Sequence, residues 1–307
     1  MSIVGEHEPG CIDVTADQAV ELVIEGRPRG VGSFTVSRLL PVAQRRMIGP
    51  FIFLDHMGPM EIAPGAGFDV RPHPHIGLST LTYFFAGENV HRDSLGTVQI
   101  NRPGDINLMT AGRGVVHSER AEPAWRERGG LMHGVQIWLA LPEANEDDAP
   151  TFEHISRDEL PEIAPGPGAR GRVLAGHAFG ASSPLRHPSA PLLVDLELES
   201  GATIELPEAP ERGVFLVHGE VQVGAEVIAH NRLAVIAPAA RVCVSAVARS
   251  RVLVLGGAAL GPRFIDWNFV ASSKERIDRA RESWKARTFP EIPSDHDEFV
   301  PYPDLHR

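Results

Sequence analysis

The sequence predicts an all-β protein of two similar barrels in tandem, closed by a single C-terminal helix. Three observations carry this. Thirty glycines and 26 prolines are scattered rather than clustered through 307 residues, as many turns between short strands require. A weak internal repeat sets Leu216-Val217-His218-Gly219-Glu220 against Phe84-Phe85-Ala86-Gly87-Glu88, and residues 231–238 against residues 104–111. Residues 272–287 are the clearest helical stretch: Ser272 with Glu275 forms a capping-box pattern, Ile277, Ala280 and Trp284 share one face, and Glu275/Arg279 is an i, i+4 ion pair.

Taken in order, residues 1–17 look loosely attached, and residues 17–25 carry helical spacings. Residues 33–38 alternate as a strand does. Pro50-Phe51-Ile52-Phe53-Leu54 suits a buried strand whose rings belong either to the core or to a cavity wall. Residues 78–85 are rich in β-branched and aromatic types, Ala86-Gly87-Glu88-Asn89 and Arg102-Pro103-Gly104-Asp105 read as turns, and residues 131–141 alternate as a further strand. The acidic, proline-bounded residues 142–150 read as the connection between barrels, with a second loose segment at 164–168. The expected division is therefore an N-terminal segment (1–18), a first barrel (19–145), a second barrel (146–262), and a C-terminal helix and tail (263–307) whose proline-rich end lies across the surface.

Chemistry concentrates in residues 67–122. His73/His75 and His117/Glu119 are two i, i+2 pairs of metal-type side chains. Alternate residues of a strand point to one face, so two facing strands would close a site of three imidazoles and one carboxylate. Pro74 removes a ladder donor and stiffens the backbone that presents both rings. The second half has no His-x-His pair at the equivalent place, and His177, His187, His218 and His230 are scattered, so a metal site is expected in the first barrel alone.

Composition sets further bounds. A net charge of −11 with dispersed Lys and Arg argues against direct nucleic-acid binding, which rests on phosphate neutralisation. No apolar run approaches the roughly 18–20 residues needed to span a bilayer, and the N-terminus has no signal-peptide pattern. Cys11 and Cys243 form no metal-spaced pair and no disulfide framework. These points together give the expectation of a cytoplasmic protein without membrane attachment.

The motifs, met together, resemble those of the pirins, members of the cupin superfamily. They are Arg46-Met47-Ile48-Gly49-Pro50-Phe51, Phe53-Leu54-Asp55-His56-Met57-Gly58-Pro59, His73-Pro74-His75-Ile76-Gly77, His91-Arg92-Asp93-Ser94, Met109-Thr110-Ala111-Gly112-Arg113-Gly114, His117-Ser118-Glu119, His133-Gly134-Val135-Gln136-Ile137-Trp138 and Trp267-Asn268-Phe269-Val270. The likeness covers residues 20–290. It implies two tandem cupin barrels (double-stranded β-helix, or jelly-roll) and the metal ligands His73, His75, His117 and Glu119. Where the wider cupin pattern has a further glutamate, Ser79 and Thr80 stand here.

Three neutral imidazoles and one carboxylate leave coordination positions open on a divalent ion, with a net local charge of about +1 that welcomes an anionic oxygen. Fe(2+) suits this donor set and is the family's usual metal; manganese, nickel, copper or cobalt stay open. The resemblance implies a dioxygenase acting with O2 on flavonols such as quercetin, opening the central ring with release of carbon monoxide. Glu119 is then both ligand and candidate catalytic base for the 3-hydroxyl proton. The alternative that the resemblance also implies is a non-enzymatic, iron-binding redox sensor that regulates a protein partner. Gln136 is a candidate neighbour of the ligands and His133 a structural histidine. His91 either supports the site or is a turn histidine bonded to Asp93. Arg113 either meets an anionic substrate or lies on a surface loop.

Overall fold

The computed structural model describes residues 19–32, 34–238 and 241–303, so the loosely attached segment expected at 1–17 lies outside the described residues. Two barrels are each built from a seven-stranded and a four-stranded antiparallel sheet. In the first barrel the larger sheet runs Thr151–Ile155, Ile106–Thr110, Leu78–Ala86, Gly130–Ala140, Phe51–Ile62, Phe34–Leu40, Arg27–Val31, and the smaller runs Val70–His75, Val115–Ala121, Asn89–Asp93, Val98–Asn101. The second barrel repeats this plan strand for strand. Its large sheet runs Val20–Glu25, Arg232–Ile236, Glu211–His218, Ser250–Gly257, Leu192–Leu198, Ala169–Ala175, Glu162–Gly166; its small sheet runs Thr203–Glu205, Cys243–Ala246, Glu220–Val223, Glu226–Ala229. The expected tandem cupin barrels and C-terminal helix are therefore present.

The repeat includes an exchange. Strand Val20–Glu25 precedes the first barrel yet pairs with Arg232–Ile236 of the second, and Thr151–Ile155 precedes the second yet pairs with Ile106–Thr110 of the first. The helical spacings of 17–25 thus fold as strand where they are described, because the open edge of the second sheet takes up their backbone groups.

The two large sheets share a core. Leu81 and Tyr83 alternate toward it from one barrel, Phe215 and Val217 from the other, and the flanking residues turn into their own barrels. Tyr83 donates to Asp195 across this interface at 2.7 Å, and Arg251 holds the same carboxylate. Inside, the barrels differ. The second is filled with Val194, Leu196, Val214, Val221, Val244 and their neighbours, whereas the first keeps a cavity of about 430 Å³.

Several local expectations are corrected. Residues 142–150 are no loose connection: Glu146 is buried, accepts from the Ser272 N–H and hydroxyl, and pairs with Arg263 and Arg276. Most of segment 164–168 forms a hairpin with Ala169–Ala175. The helix is Lys274–Lys285, capped by Ser273 rather than Ser272 because Ser272 is committed to Glu146; its buried face is Ile277, Ala280 and Trp284 as expected. The Glu275/Arg279 pair is absent among the ion pairs of the described residues. Cys243 is disulfide-bonded, and the other cysteine, Cys11, lies outside the described residues; cysteine usage therefore gives no support to a reducing compartment. Among the described residues no helix is long and apolar enough to cross a membrane.

Candidate metal centre

Strand Val70–His75 pairs with Val115–Ala121 so that His73 lies opposite His117. The side-chain nitrogens of His73, His75 and His117 all fall within 4.8 Å of one another, the sole such cluster of three metal-type side chains among the described residues. The pairing shifts between His117 and Glu119, with the extra residue on the Val70–His73 side, a bulge of the kind found beside sites, and Glu119 lines the same cavity as the three rings. The three expected imidazoles therefore meet in one place, and Glu119 shares their cavity without belonging to that cluster.

The hydrogen bonds decide which ring nitrogens are available. His73 Nδ1 is 2.8 Å from the Arg71 carbonyl and His75 Nδ1 is 2.9 Å from the Asn268 carbonyl. A carbonyl only accepts, so both rings carry hydrogen on Nδ1 and leave Nε2 bare. His75 Nε2 and His117 Nε2 stand 3.1 Å apart. Two imidazole lone pairs facing each other at that distance repel unless a cation lies between them, so the donor set fits a divalent ion. Burial pushes the pKa of His75 and His117 well below the usual imidazole range and that of His73 down to about 4, with the neighbouring rings adding to it. The three rings are thus neutral at pH 7, the form in which an imidazole can bind a cation. Burial raises the Glu119 carboxyl to about 7; no described side chain or backbone N–H bonds it, which leaves it free to meet a cation.

Six Phe and Trp rings line the cavity around these groups. Phe53 and Trp138 stack at 4.0 Å, and His75 meets Trp138 edge-on at 5.1 Å. Phe34, Phe68 and Phe84 form further wall. Polar groups punctuate it: Arg38 holds Asp55 through two 2.8 Å bonds, Thr82 donates to Gln136 at 2.9 Å, and buried Asn89 has an amide oxygen with no partner among the described residues. Asp55 is raised by burial, against the pull of Arg38.

Gln136 accordingly lines the cavity as expected. His133 instead reaches His56, Nε2 to Nε2 at 2.9 Å, with His56 turned toward Asn231 of the second barrel. For His91 both alternatives hold at once: its Nε2 is 3.0 Å from Asp93, and its Nδ1 is 3.4 Å from His117 Nδ1. Arg113 lines a different cleft, beside the C-terminal helix, and does not meet the metal cavity. Ser79 is bonded to Thr110 and His187 and offers no ligand.

Sequence reasoning missed what the C-terminal segment does. Trp267, Asn268 and Val300 line the metal cavity, the Val300 N–H donates to the Pro72 carbonyl, and Asp295 holds Ser118 and Arg120 on the ligand strand. The tail is a strap over the two ligand strands. A main-chain carbonyl has no residue-type signature, so only the Trp267-Asn268-Phe269-Val270 motif hinted at it.

The chain matches the Pirin family model over residues 33–139 and the Pirin C-terminal cupin domain over residues 193–290. A pirin-like protein of Caulobacter vibrioides is 48% identical over 289 residues, covering 93% of this chain and 100% of that protein. The crystal structure of a quercetin 2,3-dioxygenase from Acinetobacter baumannii matches with a TM-score of 0.87 at 34% identity, covering 94% of this chain and 97% of that one. A bacterial pirin from Escherichia coli, solved in complex with nickel(II), shares the fold with a TM-score of 0.61 at 20% identity, covering 78% of this chain and 99% of that one.

Proposed function

Since the chain belongs to the pirin family, we propose that it is a divalent-metal dioxygenase that opens the central ring of flavonols such as quercetin with O2 and releases carbon monoxide. The observation that carries this is the close grouping of three imidazole nitrogens in a cavity that the unbonded Glu119 carboxyl and six aromatic rings also line. The relative from Acinetobacter baumannii bearing the quercetinase name supports the substrate class.

His73, His75, His117 and Glu119 would hold the metal, Fe(2+) in our reading. Bound there, a divalent ion supplies Lewis acidity toward a substrate oxygen and, if redox-active, a path for electrons to O2. The protein's own contribution is placement. A planar polyphenol is matched by the Phe53–Trp138 stack and the Phe34, Phe68 and Phe84 wall, which exclude water. Glu119, lining the cavity with no other partner, takes the proton of the 3-hydroxyl. Gln136 and Asn89 offer hydrogen bonds to the remaining hydroxyls.

The test is an anaerobic loading with iron(II) followed by quercetin and O2. Loss of the flavonol absorbance with one equivalent of carbon monoxide is the expected result. No turnover, together with capture of a protein partner that depends on the iron's oxidation state, would favour the redox regulator instead.

A further inference from the structure

Asp93 is fully buried, and its two oxygens are unequally engaged. Oδ1 accepts from the backbone N–H groups of Leu95 and Thr97, at 2.9 and 3.1 Å. Oδ2 faces His91 Nε2 at 3.0 Å. A carboxylate only accepts, so the hydrogen of His91 sits on Nε2 and its Nδ1 carries the lone pair. That nitrogen lies 3.4 Å from His117 Nδ1, and only an N–H on His117 makes the approach favourable. His117 is thereby left with a bare Nε2, the atom that converges on His75. Phe152 stacks on the His91 ring at 4.6 Å and holds its orientation. His73 and His75 are oriented directly by carbonyls; among the three rings His117 alone is oriented through a second imidazole ending in a buried charge.

We propose that Asp93 and His91 form a relay that sets the tautomer of His117 and so presents its Nε2 to the metal, both acting as positioning residues. The inference rests on the metal centre proposed above. Its physical content is that a buried carboxylate two side chains away determines where a ligand's hydrogen sits, and strengthens that ligand as a donor.

Asp93→Asn tests it with almost no change of shape. The amide oxygen has to stay with the two backbone N–H groups, which turns the NH2 toward His91 Nε2. His91 must then accept there and carry hydrogen on Nδ1, which opposes the N–H of His117 and drives that hydrogen onto Nε2, the ligand atom. Nickel(II) affinity of the full chain, read by competition with a chromophoric chelator, is expected to fall about 10- to 100-fold. His91→Phe, which keeps the ring stacked on Phe152 but offers no acceptor, should fall similarly. The double variant should be no worse than His91→Phe alone, because Asp93 acts only through His91. Long-range 1H–15N spectra of the metal-free protein should place the hydrogen of His91 on Nε2 in the wild type and on Nδ1 in Asp93→Asn. Nickel binding by the wild type with undiminished affinity in Asp93→Asn overturns the relay, as does a wild-type His91 with its hydrogen on Nδ1. A wild type that takes up no nickel overturns the metal centre itself, while the ring-nitrogen spectra still decide the relay.

Discussion

The imidazole of His75 donates from Nδ1 to the main-chain carbonyl of Asn268, 2.9 Å away and 193 residues further along the chain. One candidate ligand of the first barrel is therefore aimed by a segment that follows the second barrel. The two are brought together at Gly77, whose φ is +64°. A Cβ there would stand 2.0 Å from the Val270 carbonyl oxygen, so only glycine lets the short C-terminal strand Phe269–Ala271 lie against the first barrel.

Gly77→Ala is expected to push this strand away and release His75. Backbone strain and lost contacts should cost about 1–3 kcal/mol, read as a lower denaturant midpoint, and nickel affinity should fall with it. Unchanged stability and affinity would show that the strap is not coupled to the ligand.

Because folding assembles the ligands, metal binding should stabilise the fold. Free nickel(II) at 100 times its Kd should add about 2.7 kcal/mol, seen as a higher melting temperature. His75→Ala or His117→Ala should abolish the increment. An equal shift in these variants would place the ion elsewhere.

Glu119→Gln separates ligation from proton transfer. The amide oxygen can still coordinate but cannot take the 3-hydroxyl proton, so quercetin turnover should fall by more than metal content does. A variant that loses its metal entirely, or turns over like the wild type, contradicts the role assigned to this carboxyl. Metal content by elemental analysis beside the carbon monoxide assay measures both.

Acid should destabilise the protein through buried histidines outside the candidate ligand set as well as within it. Burial lowers His56, His133 and His187 to about 4 from the ordinary 6.5. An unfolded chain therefore takes up protons at higher pH than the folded one does. Their contribution is complete above pH 6.5, declines as pH falls from 6.5 to about 4, and is constant below that. The denaturant midpoint followed across this range should drop, and the slope should be shallower in His187→Gln, which keeps bonds to Ser79 and Ser189 but has no proton to gain. A flat profile would show that these rings are already charged in the folded protein.

Much of this was legible in the chain because it depends on local periodicity. Two residues per strand repeat put His73 with His75 and His117 with Glu119 on common faces, and the Gly-Glu turns after Ala86 and His218 marked corresponding corners of the two barrels. The errors have one source. Residues 20–25, 142–150 and 164–166 were read from their own composition, but an open sheet edge, a buried Glu146 and a hairpin partner outweighed weak local preference. Asp93 could be named only as a partner of His91, and Asn268 could be given no role at all, since it acts through a carbonyl that every residue possesses.

By itself the sequence determined the all-β class and the doubled barrel, and it singled out His73, His75, His117 and Glu119 in the first barrel as candidate ligands, since donor type and strand spacing are local properties. Tertiary structure alone decided which nitrogen of each ring is free, that the second barrel is packed with hydrocarbon where the first is hollow, and that the C-terminal strap aims His75. Those depend on contacts between distant segments, such as His75 and Asn268, 193 residues apart, and a hydrogen bond acts over about 3 Å of space whatever the distance along the chain.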